Sequence, residues 1–109
     1  MMQFDSQHTG TIKTGDLVVI VASLTWLEFG FFLGRGQGGS VQYYSIRRLA
    51  HWLAYHKQGG NQSRPHVDFY NIPYATKIAR YNPEFFEGEM LELYEKAIEA
   101  LKLLKIIPE

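Results

Sequence analysis

The chain has 109 residues, no cysteine, 46% hydrophobic and 15% aromatic residues, and a formal net charge of zero. That length bounds one domain with a modest core, and the composition excludes a disordered tail, disulfides and thiolate ligands. Zero net charge weighs against a protein that coats long stretches of nucleic acid.

In chain order, residues 1–14 are polar and read as a flexible lead. Gly15-Asp16 opens the run Leu17–Ser23, rich in β-branched residues and without helix caps, which reads as a buried strand. Glu28–Leu33 is a second, aromatic strand, in which Gly30 marks a bulge or a close backbone approach. Gly34–Gly39 is a turn and Val41–Tyr44 a third strand. Ser45 then stands as an N-cap before Leu49, Trp52, Leu53 and His56 at i, i+3, i+4 and i+7. This spacing predicts a helix over Ile46–Lys57, with a strand through Leu49–Tyr55 as the alternative. His66–Asn71 and Thr76–Tyr81 read as two short strands parted by Ile72-Pro73. Asn82-Pro83 is a helix start, Gly88 interrupts it, and the strong helix runs from Glu89 to Lys105. The expected class is α+β: a small five-stranded antiparallel barrel or sheet, an inserted helix (46–57) and a long C-terminal helix (89–105), in one domain.

The apolar residues of the last helix cover about two-thirds of its circumference, wider than the roughly 100° stripe of one packing surface. Either the domain wraps it from two sides or a second copy of the chain does, which makes a homo-oligomer through this helix an expected partner state. No run approaches the roughly 18 apolar residues of a membrane span. With no basic segment before the first apolar run, a cytoplasmic protein without membrane contact is expected.

The five strands open with Gly15-Asp16-Leu17-Val18-Val19 and then Gly30-Phe31-Phe32-Leu33-Gly34. Over residues 13–44 they resemble the start of small SH3-like barrels, including KOW-type modules. The inserted helix and the long acidic C-terminal helix depart from that pattern. The compact, cysteine-free make-up is similar to that of small bacteriophage accessory proteins. The barrel resemblance implies a nucleic-acid-binding module, and the phage resemblance implies an anti-defence role, sequestering a host nucleotide signal.

Charge is distributed unevenly. Arg35 to Arg80 holds seven Lys/Arg, three of the four histidines and one acid, Asp68. This +6 block is flanked by segments of −2 and −4, and with its aromatic residues it points to an anion. Gly34-x-Gly36-x-x-Gly39 has the letters of a dinucleotide loop, but a strand follows it where a helix is required, so it reads as a hairpin turn. The alternative there is a flap that closes over a phosphate with Arg35. Arg47 and Arg48, in the first turn of the inserted helix, make a candidate phosphate site or pair with the C-terminal glutamates. His51 and Tyr55 follow on adjacent helix positions, whereas Trp52 reads as core with Leu49 and Leu53. Arg80 shares the inner side of its strand with Ile78 and so needs a partner, a ligand or Glu84 or Glu87. Tyr74 is a candidate stacking wall.

Chemistry beyond binding finds little support. His51 and His56 are five apart and do not share a helix face, so no metal site is expected. His66 and Asp68 share one side of a strand without a nucleophile motif nearby, and the C-terminal glutamates read as a solvated stripe. No cofactor and no catalysis are expected. Long nucleic acids demand six to ten neutralised phosphates, whereas one to three phosphates need only two or three cations. The expected function is therefore non-catalytic holding of a small anionic, nucleotide-like ligand by Arg35, Arg47, Arg48, His51, Tyr55, Tyr74 and Arg80. A DNA- or RNA-binding module and an adaptor acting through the C-terminal helix are the alternatives.

Overall fold

The computed structural model describes residues 12–23, 26–60, 64–70 and 78–108. Strands β1 (Leu17–Ser23), β2 (Trp26–Arg35), β3 (Val41–Ser45), β4 (Asp68–Tyr70) and β5 (Ile78–Arg80) form one sheet in the order β4-β3-β2-β1-β5. All its pairings are antiparallel. Helices α1 (Ile46–Lys57) and α2 (Gly88–Leu103) complete the α+β fold. Among the described residues, no helix is long and apolar enough to cross a membrane.

The helix reading of 46–57 holds, because Ser45 is both the last residue of β3 and the cap of α1. Its Oγ accepts a hydrogen bond from the Arg48 backbone N–H at 3.1 Å, a cap contributing about 1 kcal/mol. β2 begins at Trp26 and ends at Arg35, longer at both ends than the expected Glu28–Leu33. The two extra residues at its start are exposed, and no apolar alternation announces them. At Asn82-Pro83 a short 3-10 turn (Pro83–Phe85) forms, with Asn82 Oδ1 accepting from the Glu84 N–H at 3.0 Å. The α-helix itself starts at Gly88 and ends at Leu103, two residues before the expected end.

Cross-strand partners share a face of the sheet. The row Leu17–Phe31–Tyr44 faces the helices and joins Leu49, Trp52 and Leu53 of α1 with Ala97, Ala100 and Leu101 of α2. On the opposite face, Val18, Ile20, Phe32, Val41, Tyr43 and Ile78 form a second buried cluster with Ile12. Each fully buried Leu, Ile or Phe in these clusters contributes about 1.5–3 kcal/mol. The N-terminal approach is docked from Ile12 onward: Lys13 N–H donates to Asp16 Oδ2 at 2.8 Å, and Thr14 Oγ1 donates to the Leu33 carbonyl at 3.2 Å.

Much of the apolar arc of α2 packs against its own chain. Met90, Leu93, Tyr94 and Ile98 pack against the helix-side cluster beside the buried Ala97, Ala100 and Leu101. Leu91 and Leu103 remain exposed. The two helices pack together and run parallel, since Arg47 meets Glu89 near their starts and Lys57 meets Glu99 at 2.8 Å near their ends.

Gly30 pairs with Ser45 at the end of the β2–β3 ladder. A Cβ there would lie 2.7 Å from both Tyr43 Cδ2 and the Tyr44 carbonyl oxygen, and the carbonyl cannot rotate away. Gly30→Ala is expected to lower stability by about 1–3 kcal/mol, a Tm fall of roughly 5–15 °C. A thermal melt that matches wild type would show that the contact is relieved without strain.

Candidate functional site

The cations of the basic block do not converge. Arg48, in the first turn of α1, makes a two-pronged contact with Asp68 of β4: Nε to Oδ2 at 2.8 Å and Nη2 to Oδ1 at 3.0 Å. That pair ties α1 to the edge strand. Its side chains are partly exposed, so it is worth about 1 kcal/mol despite the good geometry. The hydrogen bonds that Arg48 donates to the Asp68 carboxylate raise the Arg48 pKa further above its ordinary value. Both Asp68 oxygens thereby accept from Arg48, and among the described residues Asp68 forms no ion pair with His66.

Arg35 donates from Nη1 to the Gly39 carbonyl at 2.7 Å and closes the β2–β3 hairpin. Gly38 and Gly39 adopt positive φ in that turn, a region glycine enters without steric cost. The strand β3 follows directly, as the hairpin reading requires. Arg80 pairs across the sheet with Val18, on the face that also carries Ile78. As the last residue of β5, however, it is exposed, so the inward cation expected from strand parity escapes burial at the strand end. Among the described residues it makes no ion pair, with Glu84 and Glu87 or otherwise. Two strands separate it from β3 and the start of α1.

His51 and Tyr55 are exposed on α1, one and two turns beyond Arg47. The Tyr55 ring packs over Gly60, where any side chain would overlap it. Trp52 is core, 3% exposed, and stacks on His56 with centroids 4.9 Å apart. Tyr74 lies outside the described residues. Among the described residues, no three His, Asp or Glu side chains are grouped as metal ligands.

One candidate, Arg47, does line a cleft. Trp26, Glu28 and Phe29 of β2, Ile46 and Arg47 of α1, and Met90 of α2 enclose about 320 Å³, at the lower end of the range for small-ligand sites. The starting ends of both parallel helices meet here, and each carries the positive end of its macrodipole. Phe29 packs edge-on against Tyr81 and Phe86, with centroids at 4.9 and 5.2 Å, and gives the cleft a braced aromatic floor. Trp26 is 61% exposed, unusual for so large an apolar ring. Arg47 is only loosely held, 3.8 Å from Glu89 with both side chains well exposed.

Glu28 is half-buried in this setting. Burial raises its pKa above the ordinary value, and the charge of Asp68 adds to the rise. A hydrogen bond from the Trp26 side chain and the charges of Arg47 and Arg48 act in the opposite direction. Trp26 and Glu28 fall outside the basic block, and a search confined to that block misses them. Their degree of exposure at the start of β2 leaves no signature in the local sequence.

The raised Glu28 pKa carries a sign for stability. In the window above the ordinary 4.5, the unfolded chain releases this proton before the folded chain does, so the group's contribution is full below that pH and is lost as pH rises through the folded value. Glu28→Gln is therefore expected to raise Tm at pH 7, with the gain shrinking as pH drops below 4.5. An equal gain at both pH values would show that the ionised carboxylate carries no burial penalty.

Comparison with known proteins adds no assignment to this arrangement: no family model, no curated protein and no solved structure matches the chain.

Proposed function

We propose that the chain is a non-catalytic binding protein for a small, nucleotide-like anion. The site is the cleft between the start of β2 and the starts of α1 and α2. The observation that carries this reading is an exposed indole, Trp26, set beside a loosely paired guanidinium, Arg47, on one cleft. A planar base stacks on the indole face, a contact worth about 1–3 kcal/mol. Its phosphate meets Arg47 at the end of the molecule where two helix dipoles begin. Phe29 supplies an apolar floor fixed by its aromatic neighbours.

Two features favour a small ligand over a polyanion. Of the seven Lys/Arg in the basic block, Arg48, Lys57 and Arg35 are each engaged within 2.8 Å of an acceptor of the chain itself, leaving four, fewer than a track of phosphates requires. The glutamates of α2 stand beside the cleft, Glu89 nearest to Arg47. Holding without turnover amounts to sequestration, the role implied by the likeness to phage accessory proteins.

The reading is checked by calorimetric titration with nucleoside monophosphates, alongside single- and double-stranded oligonucleotides at two salt concentrations. Saturable one-to-one binding of a mononucleotide is expected. Trp26→Ala and Arg47→Ala should each weaken it by about tenfold or more, whereas Arg80→Ala should leave it unchanged. Steeply salt-dependent oligonucleotide binding with no mononucleotide heat would replace this reading with a nucleic-acid module.

A further inference from the structure

Glu28 belongs to the cleft, yet phosphate binding does not use it; a carboxylate beside an anion is unfavourable unless it serves another part of the ligand. Its surroundings leave it available. The nearest acid–base pair, Arg48 with Asp68, is closed on itself through two hydrogen bonds. Arg47 leans toward Glu89, and among the described residues Glu28 enters no ion pair. The Trp26 side chain donates one hydrogen bond to it. An ionised carboxylate is acceptor-only and has about four lone-pair sites, so most of its capacity is open in a half-buried position where unpaired acceptors are unfavourable. Glu28 lines the same cleft as Trp26 and Arg47 and, two residues from Trp26 along β2, lies on the same side of that strand, which puts a carboxylate within reach of the edge of a base bound against the indole.

We infer, resting on the nucleotide reading above, that Glu28 selects a base edge with two adjacent N–H donors, as in guanine, over one with an acceptor beside a donor, as in adenine. Guanine's N1–H and N2–H2 present two parallel donors to the two carboxylate oxygens, the same fork that makes guanidinium–carboxylate pairs strong. Adenine sets its N1 lone pair against a carboxylate oxygen, leaving one acceptor repelled and one donor paired. Hypoxanthine keeps N1–H and lacks the 2-amino group, so it falls between the two.

The test is titration of the full chain with GMP, IMP and AMP, whose single phosphates are equivalent, followed by Glu28→Gln. The expected order is GMP, then IMP, then AMP, with GMP about 10- to 100-fold tighter than AMP. Glutamine offers one acceptor and one donor, so Glu28→Gln should lose the GMP preference and gain AMP affinity, bringing the ratio to one or below. Should the variant fail to fold by circular dichroism, the three-nucleotide series on wild type still decides. Equal affinities for GMP, IMP and AMP on wild type, or an unchanged GMP preference in a folded variant, would overturn the role of Glu28 while leaving the cleft reading intact. Binding of none of the three would overturn both.

Discussion

A sheet that buries apolar side chains on both faces is the constraint on which the rest of this structure depends. Leu17, Phe31 and Tyr44 face the helices, and Val18, Ile20, Phe32, Val41, Tyr43 and Ile78 occupy the other side. With both faces of its central strands buried, the sheet leaves charged groups to strand ends, hairpin tips and the outer surfaces of helices. There each cation meets whatever acceptor lies at hand. Arg48 closes on Asp68, Lys57 on Glu99 and Arg35 on its own hairpin carbonyl. A +6 block in sequence thus becomes a set of separately handled charges in space.

The same constraint creates the cleft. β2 is the longest strand, ten residues, and its start extends past the doubly covered part of the sheet. Trp26 and Leu27 at that overhang are exposed. The parallel packing of α1 and α2 brings both helix starts to this same end. An indole, a loosely held guanidinium and a half-buried carboxyl are therefore gathered where core packing ends.

Where periodicity and capping chemistry agreed, structure was legible in the sequence. Ser45 followed by Leu49, Trp52 and Leu53 marks α1 to the residue, and the antiparallel α+β class follows from short strands separated by glycine-rich turns. Trp52 as core was also readable from spacing, and a glycine-rich hairpin turn from the strand that follows it, although Gly34 and Arg35, expected in that turn, pair with β3 as the end of β2. The site was much less so. Charge density along the chain singled out Arg35, Arg48 and Arg80, but tertiary contacts claim the first two and sheet order sets the third apart. Arg47, singled out by its place in a helix start, does line the cleft. Trp26 and Glu28 were missed because exposure at a strand end depends on where the neighbouring elements stop, which no local pattern records.

The central claim is that Trp26, and not the buried Trp52, forms one wall of a nucleotide site. The chain has two tryptophans, so its two indole N–H resonances report on an exposed ring and on a core ring in a single experiment. Titration of 15N-labelled protein with GMP should shift the Trp26 indole signal along a saturating curve and leave that of Trp52 in place. An unmoved Trp26 signal at saturating nucleotide would contradict the account.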